Sequence, residues 1–258
     1  MGVNVSSKRR VIATTSVACF VIAMSAVASS APSFASDSKT PHASHSATPS
    51  PMPTRLMMPK KQMAPFSANA APVTGCAKTS STAHYPIKVG TPDPKSALVD
   101  RTFTLNTNCG DIVFTAFGKK APVTVIAMTF LAKAGYFDHS LCHRITTAGI
   151  YVLQCGDPTA SGSGGPMWSY RDENLPIYDT NDYPAGTIAM ANSGPNTNGS
   201  QFFIVYKDTT LPAGYTIWGQ VTKGLDVVKR VATAGVLGGG SDGTPKQTIA
   251  IESVKVSN

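Results

Sequence analysis

The chain has 258 residues and a formal net charge of +8, and 42% of its residues are hydrophobic. The excess charge lies in residues 1–97, which carry ten Lys or Arg and two Asp or Glu, whereas residues 98–258 carry twelve of each. A charge-balanced domain is not typical of nucleic-acid-binding proteins, so nucleic acid is excluded as its expected ligand. The basic front segment is compatible with a weak attraction to an anionic surface.

The first 35 residues predict a secretory signal peptide. The cations Lys8–Arg10 precede an apolar run over residues 11–28, and small residues follow at two possible cleavage sites. The run of about 18 residues is somewhat shorter than the roughly 20 that a spanning helix needs. We therefore expect an exported protein, either secreted or associated with the cell envelope. An uncleaved membrane anchor through residues 11–28 is the alternative.

Residues 36–97 predict a disordered tether. Ten prolines interrupt a sequence of mostly Ser, Thr and Ala, so no helical or strand period persists. A tether of this composition would hold a folded domain away from a membrane or through a cell wall. Because the tether is basic, a surface adhesion protein that binds an acidic polymer is a further alternative, and it is the weakest one.

The folded domain is predicted over residues 98–258, and it begins with a β-hairpin. Apolar and polar residues alternate over 102–107 and 112–117, on either side of a turn at 108–111. A helix is expected to begin at Pro122 and to end at Gly135. Its predicted apolar face consists of Val123, Ile126, Ala127, Phe130 and Leu131.

The rest of the domain is predicted to be mainly β. Short strands and glycine-rich loops are expected over residues 141–220, followed by a short helix over 225–232 and a final strand over 248–256. Many short strands with two helices are typical of an antiparallel barrel that is capped at its ends. About 160 residues are enough for one core of this kind.

The most distinctive stretch is residues 190–204, which read MANSGPNTNGSQFFI. A loop rich in side-chain amides that leads into an aromatic strand suits the grip of an extended peptide. This stretch closely resembles the signature of the cyclophilins, which are peptidyl-prolyl cis-trans isomerases. The resemblance extends over about residues 100–257 and implies a closed eight-stranded antiparallel barrel capped by two helices. It also implies an isomerase that works without a cofactor or metal.

The resemblance further implies which residues form the active site. The residues expected to be catalytic are Arg144, Gln154 and Phe203. The residues expected to bind the substrate are His143, Tyr151, Val152, Gly162, Ala191, Asn192, Ser193, Gln201, Leu211 and Tyr215. A guanidinium near the prolyl nitrogen would stabilise the lone pair that this nitrogen regains when the peptide bond is half rotated.

The sequence departs from the family pattern around the expected groove. The loop before Gln154 is two residues longer than in animal members, and Tyr151 and Val152 stand where the family usually has Phe and Met. Cys155 replaces a glycine, and Thr210 replaces a tryptophan that often precedes the pocket leucine. A ring and an apolar wall persist, so we expect the groove to persist, whereas strong cyclosporin binding is not expected.

Four of the five cysteines lie after the apolar run, at Cys76, Cys109, Cys142 and Cys155. An even number in an exported chain allows two disulfides with three possible connectivities. Cys142 and Cys155 flank two strands that are expected to be adjacent, which favours a disulfide between them and leaves Cys76 to pair with Cys109. Four free, buried thiols are the alternative.

The function expected from the sequence is that of an exported prolyl isomerase. Its expected partners are proline-containing peptides and unfolded exported proteins, and the protein is expected to be a monomer. The main alternative is a non-catalytic module at the cell surface that binds proline peptides with the same groove. The presence of Arg144 beside the peptide-gripping residues favours the enzyme, because a module that only binds does not need a transition-state cation.

Overall fold

The computed structural model of the protein describes residues 73–93, 99–177 and 182–257. The expected signal peptide at residues 1–35, its alternative as an anchor through residues 11–28, and the first part of the expected tether lie outside the described residues. Among the residues that are described, no helix is both long enough and apolar enough to cross a membrane. All of them belong to the same unit of the chain, residues 57–258.

The described residues form ten β-strands and two α-helices, and the paired strands are antiparallel. In chain order the elements are β1 (Arg101–Thr107), β2 (Gly110–Ala116), α1 (Pro122–Lys133), β3 (Ser140–Leu141), β4 (Arg144–Thr146), β5 (Val152–Cys155), β6 (Thr187–Met190), β7 (Phe202–Val205), β8 (Ile217–Lys223), α2 (Leu225–Thr233), β9 (Asp242–Gly243) and β10 (Ala250–Ser257). The expected mainly β class with two helices is confirmed.

The strands form one curled sheet whose hydrogen-bonded order is β3-β10-β1-β2-β8-β6-β7-β5-β4-β9. The expected closed barrel of eight strands therefore differs from the structure in strand count and in closure. The two additional strands, β3 and β9, have only two residues each. Such short strands cannot be predicted from periodicity, because two residues do not define a repeat. Only Cys142 and His143 separate β3, which pairs with β10, from β4, which pairs with β5. One short segment of the chain therefore joins strands that lie near opposite ends of the strand order.

The predicted N-terminal hairpin is confirmed, and it supplies the aromatic part of the core. Phe103 pairs with Phe114 and Leu105 with Ile112 across β1 and β2. The two phenylalanine rings stack at 5.0 Å, and Trp218 of β8 meets them edge-on at 5.4 and 5.1 Å. These side chains are almost completely buried. Burial of large aromatic rings dominates the stability of such a core.

The predicted helices are also present, but the buried face of α1 differs from the prediction. Val125, Met128 and Leu131 are buried in the core, whereas the predicted face residues Ile126 and Phe130 are only partly buried. The helix is apolar on most of its circumference, so a period of 3.6 residues does not select a unique face. The core decided which apolar residues the helix buries.

Residues 73–93, here called the strap, lie against the domain without regular secondary structure. A disulfide joins Cys76 to Cys109, and the hydroxyls of Thr79 and Ser81 both donate hydrogen bonds to the Glu252 carboxylate. The prediction of a disordered tether is therefore wrong for the strap. The composition of the strap predicts disorder. Composition cannot show that partners more than a hundred residues away in the sequence hold this segment in place.

Both disulfides that the cysteine count allowed are present, with the connectivity that the sequence favoured. Cys142 lies between β3 and β4 and is bonded to Cys155 at the end of β5. Cys76 of the strap is bonded to Cys109 in the turn of the hairpin. The first disulfide thus lies behind the strands that carry the expected catalytic residues, and the second attaches the strap.

Candidate active site

Strand register brings the three expected catalytic residues together. Arg144 of β4 pairs with Gln154 of β5, and Gln154 in turn pairs with Phe203 of β7. Residues that are directly opposite in adjacent strands point to the same face of the sheet. The three side chains therefore form a row across neighbouring strands, although 59 positions separate the first from the last.

This row forms one side of a groove with a volume of about 210 Å³, here called the apolar groove after the side chains of its floor. The residues that line it are Arg144, Ile150, Val152, Gln154, Ala191, Asn192, Phe203, Leu211 and Tyr215. Phe203 is only 4% exposed, and the ring of Tyr215 meets it edge-on at 5.6 Å. The groove therefore has an aromatic floor with a single cation at its rim.

A network of hydrogen bonds holds the cation in place. The Nε and Nη2 of Arg144 donate to the two carboxylate oxygens of Asp242 at 2.7 and 2.8 Å, and its Nη1 donates to Gln154 Oε1 at 3.1 Å. Gln154 Nε2 donates to Gln201 Oε1, and Gln201 Nε2 donates to the carbonyl of Gly164. The hydrogen bond to Asp242 raises the pKa of Arg144 above its ordinary value, so the guanidinium is charged at any physiological pH.

A second cavity, here called the polar pocket, adjoins the groove and has a volume of about 320 Å³. It shares Gln154, Ala191 and Asn192 with the groove. The remaining lining residues come from loops and are Gly162, Ser163, Gly164, Gly165, Pro166, Trp168, Ser169, Ser193, Thr197, Gly199, Ser200 and Gln201. Its backbone and hydroxyl groups can form hydrogen bonds with an extended polar ligand.

The buried carboxylate of Asp157 organises the loop that forms one wall of the polar pocket. It accepts hydrogen bonds from the backbone N–H groups of Thr159, Ser161, Gly162 and Gly164. Burial alone would raise the pKa of Asp157, but hydrogen bonds from the Thr159 hydroxyl and from the N–H groups of Gly164 and Thr159 outweigh it, so the pKa lies below its ordinary value. A Cβ at position 164 would lie 2.0 Å from the carboxylate, so only glycine fits there.

His143 does not line the groove, contrary to the prediction. It is 2% exposed and lies behind Gly162, and burial lowers the pKa of its imidazole to about 4. Neither ring nitrogen has a hydrogen-bond partner among the described residues. The reason is the alternation of side chains along a strand, because Arg144 faces the groove and its neighbour must therefore face away.

Tyr151 also lies outside the groove, and Ile150 takes part in its lining instead. The ring of Tyr151 packs edge-on against Tyr206 at 5.9 Å, and Lys207 Nζ lies 4.3 Å from its centroid. Since Val152 faces the groove, the residue before it faces the opposite side. The same alternation in the sequence was the signal that could have excluded Tyr151 from the predicted site.

The structure brings most of the other predicted residues together. The eight predicted residues that line the groove are Arg144, Val152, Gln154, Ala191, Asn192, Phe203, Leu211 and Tyr215. The predicted residues that line only the polar pocket are Gly162, Ser193 and Gln201. Asp242 was missed, since it lies 98 positions after Arg144 and no local pattern connects the two.

Comparison with known proteins identifies the family. The family model described as cyclophilin type peptidyl-prolyl cis-trans isomerase/CLD matches residues 102–256. The chain therefore belongs to the cyclophilin-type peptidyl-prolyl isomerase family. The matched region contains every residue of the groove and of the polar pocket.

Relatives and solved structures agree with this assignment. A probable peptidyl-prolyl cis-trans isomerase B of Mycobacterium tuberculosis (strain ATCC 25618 / H37Rv) is 45% identical over 159 residues, which cover 57% of this chain and 52% of the relative. Its counterpart from Mycobacterium leprae (strain TN) is 42% identical over 164 residues, covering 59% and 56%. The chain thus spans about half the length of these curated relatives.

Two crystal structures of a cyclophilin type isomerase from Cryptosporidium parvum are similar to this fold. The first has a TM-score of 0.52 at 28% identity, and the match covers 62% of this chain and 99% of that protein. The second was obtained in the presence of the dipeptide Ala-Pro and has a TM-score of 0.51 at 28% identity, covering 61% and 99%.

Proposed function

We propose that this protein is a peptidyl-prolyl cis-trans isomerase that accelerates rotation about X–Pro bonds. The observation that carries this proposal is the position of Arg144 at the rim of the apolar groove, where Asp242 and Gln154 hold its guanidinium beside the Phe203 floor. Membership in the cyclophilin family supports the same activity.

The chemistry requires only a positioned cation and a dry floor. Resonance blocks rotation about a peptide bond with a barrier of roughly 18–20 kcal/mol. Halfway through the rotation the prolyl nitrogen becomes pyramidal and regains its lone pair. An N–H of Arg144 that donates to this lone pair stabilises the transition state more than the planar ground state, in which the lone pair is delocalised. A bound peptide would cover the floor and displace water from it, which strengthens the interaction.

Arg144 retains donors for this task. A guanidinium has about five N–H groups, and the bonds to Asp242 and Gln154 use three of them. The prolyl ring would lie against Phe203, with Val152 and Leu211 beside it. The amides of the shared wall and of the polar pocket would bind the peptide backbone around the proline.

We further propose that the protein assists the folding of exported proteins and binds unfolded chains that contain proline. The basic and apolar N-terminal sequence supports export, and the two disulfides are typical of an oxidising compartment. In this proposal the protein acts as a monomer and is either secreted or held at the cell envelope.

The test is the cis-to-trans rate of Ala-Pro and Leu-Pro peptides with the full chain and its Arg144→Ala variant. We expect Arg144→Ala to lower kcat/KM by about a hundredfold, or about 2.7 kcal/mol. Arg171→Ala is the matched control, since Arg171 is an exposed arginine that lines neither the groove nor the polar pocket.

A non-catalytic module that binds proline peptides is the second candidate. The pairing of Arg144 with Asp242 favours it, because the carboxylate offsets part of the guanidinium charge that catalysis would use. If the intact chain binds the peptides without accelerating their isomerisation, the binding module replaces the enzyme. If the chain accelerates isomerisation and Arg144→Ala has no effect, the activity stands and the assigned role of Arg144 is wrong.

A further inference from the structure

We propose that Asp242 is a positioning residue, and that its carboxylate directs the Arg144 guanidinium toward the prolyl nitrogen. The inference rests on the proposed isomerase activity and adds a residue to it. Asp242 does not line the groove and would not touch the substrate. It would act only through the arginine.

The geometry of the pair is that of two parallel hydrogen bonds between planar groups. Asp242 Oδ1 accepts from Arg144 Nε at 2.7 Å, and Oδ2 accepts from Nη2 at 2.8 Å. Such a bidentate contact determines the plane of the guanidinium as well as its position. With Gln154 Oε1 accepting from Nη1, all three nitrogens of Arg144 are held. An arginine without these partners would sample many rotamers.

Strand pairing places Asp242 beside Arg144. β9 pairs with β4, the strand that carries Arg144, and Asp242 lies opposite Thr146. The N–H of Thr147 donates to the carbonyl of Ser241 at 2.8 Å, which extends the pairing by one residue. The pairing of β9 with β4 therefore places the carboxylate beside the strand that supplies the cation.

The carboxylate has two opposing effects on catalysis, and the exposure of the pair indicates which one dominates. Its negative charge offsets part of the positive potential that the transition state requires, while its geometry directs the N–H donors. The side chains of Arg144 and Asp242 are 36% and 54% exposed, so water screens the charge of the carboxylate. Water does not change the direction of the two short hydrogen bonds. Positioning is therefore the larger effect.

The experiment measures kcat and KM separately for the full chain and for its Asp242→Ala and Asp242→Asn variants, with the same proline peptides. We expect Asp242→Ala to lower kcat about tenfold with KM changed by less than about twofold, because the groove itself is intact. Asp242→Asn keeps one acceptor oxygen but turns an amide N–H toward a guanidinium donor, so its kcat should lie between those of the wild type and Asp242→Ala. The matched control is Asp226→Ala, since Asp226 forms an exposed ion pair with Arg230 on α2.

A double-mutant cycle separates positioning from a structural role. In the Arg144→Ala background, Asp242→Ala should have no further effect, because the side chain that it positions is absent. A second readout is the ¹⁵Nε–¹Hε resonance of Arg144, which should show slow guanidinium rotation in the wild-type chain and fast rotation in Asp242→Ala.

Three results would overturn the proposal, and they are distinguishable. If the wild-type chain does not isomerise the peptides, the proposed function fails and this inference fails with it. If the wild type is active and Asp242→Ala leaves kcat unchanged or raises it, only the positioning role is wrong. If Asp242→Ala lowers the residual activity of Arg144→Ala as strongly as it lowers that of the wild type, Asp242 acts through the fold and not through Arg144.

Discussion

The apolar groove and the polar pocket share a wall, yet they are built in different ways. Strands β4, β5 and β7 supply the cation, the amide and the aromatic floor of the groove, so strand register determines their positions. Loops supply most of the lining of the polar pocket, and a loop has no ladder of hydrogen bonds to hold it. The loops of the polar pocket therefore need other contacts to hold them in place, and the structure contains two such supports.

The first support is the buried carboxylate of Asp157, and the second is the strap. The N–H of His84 in the strap donates to the carbonyl of Pro158 at 2.9 Å. The indole N–H of Trp168 donates to the carbonyl of Gly90 in the strap at 2.8 Å. The strap therefore contacts the loop of the polar pocket near both of its ends, whereas paired strands hold the cation, the amide and the aromatic floor of the groove.

The largest effect is expected from Asp157→Asn, which removes the first support. The amide would place its own N–H groups against backbone donors that now meet a carboxylate. Hydrogen bonds to charged groups contribute about 1.5–3 kcal/mol each, so losing two of them should lower the free energy of unfolding by about 4 kcal/mol. Urea denaturation measures this change.

The control for that variant is Asp111→Asn, because Asp111 is exposed and accepts a hydrogen bond from Asn106. We expect a change in the free energy of unfolding below about 1 kcal/mol for this substitution. Equal destabilisation by the two variants would show that Asp157 does not organise the polar pocket.

Removing the second support should have a slightly smaller effect. Cys76→Ser with Cys109→Ser opens a disulfide with a sequence separation of 33 residues, and loop entropy predicts a loss of about 3–4 kcal/mol. The released strap should raise KM for longer peptides that reach the polar pocket. Short Ala-Pro peptides, which need only the groove, should keep their kcat/KM, and a parallel loss for both peptide lengths would contradict the separation of the two cavities.

Acid should destabilise the wall behind the polar pocket through His143. Its pKa is lowered from 6.5 to about 4 in the folded protein, mainly by burial, so the unfolded state binds the proton first as the pH falls. The stabilising effect of the neutral ring is fully present above pH 6.5 and is lost as the pH falls to about 4. At about 1.4 kcal/mol per pH unit, the loss over this window is about 3 kcal/mol.

Denaturation of the wild type and of His143→Leu between pH 4 and 7 isolates this contribution, because leucine does not titrate. The free energy of unfolding of the wild type should fall more steeply with acid than that of the variant. Parallel curves would mean that His143 does not determine the acid sensitivity of this region.

The smallest effect tests the lining of the groove. Ile150→Ala removes part of the apolar wall and should lower kcat/KM about fivefold, or about 1 kcal/mol. Tyr151→Ala removes a larger side chain that faces Tyr206 and not the groove, so kcat/KM should change by less than about twofold. Isomerase assays on both variants measure these effects. A larger loss of kcat/KM in Tyr151→Ala than in Ile150→Ala would show that Tyr151, and not Ile150, lines the groove.

The elements of the sheet and the helices could be predicted from the sequence because their signals are local. The alternation in residues 102–107 and 112–117 predicts the hairpin, and Pro122 and Gly135 mark the limits of α1. The buried face of α1 could not be predicted, since the helix is apolar on most sides and only its neighbours select a face. The two-residue strands β3 and β9 were also beyond reach, because they have no period.

The sequence by itself determined most of the groove, because the resemblance in residues 190–204 and around Arg144 identified eight of its lining residues. Only the tertiary structure decided that Asp242 holds the cation and that the strap supports the polar pocket. These contacts join parts of the chain that are 98 and about 78 residues apart. Periodicity and composition describe a residue's near neighbours, whereas such contacts exist only once the sheet has curled and brought its distant strands together.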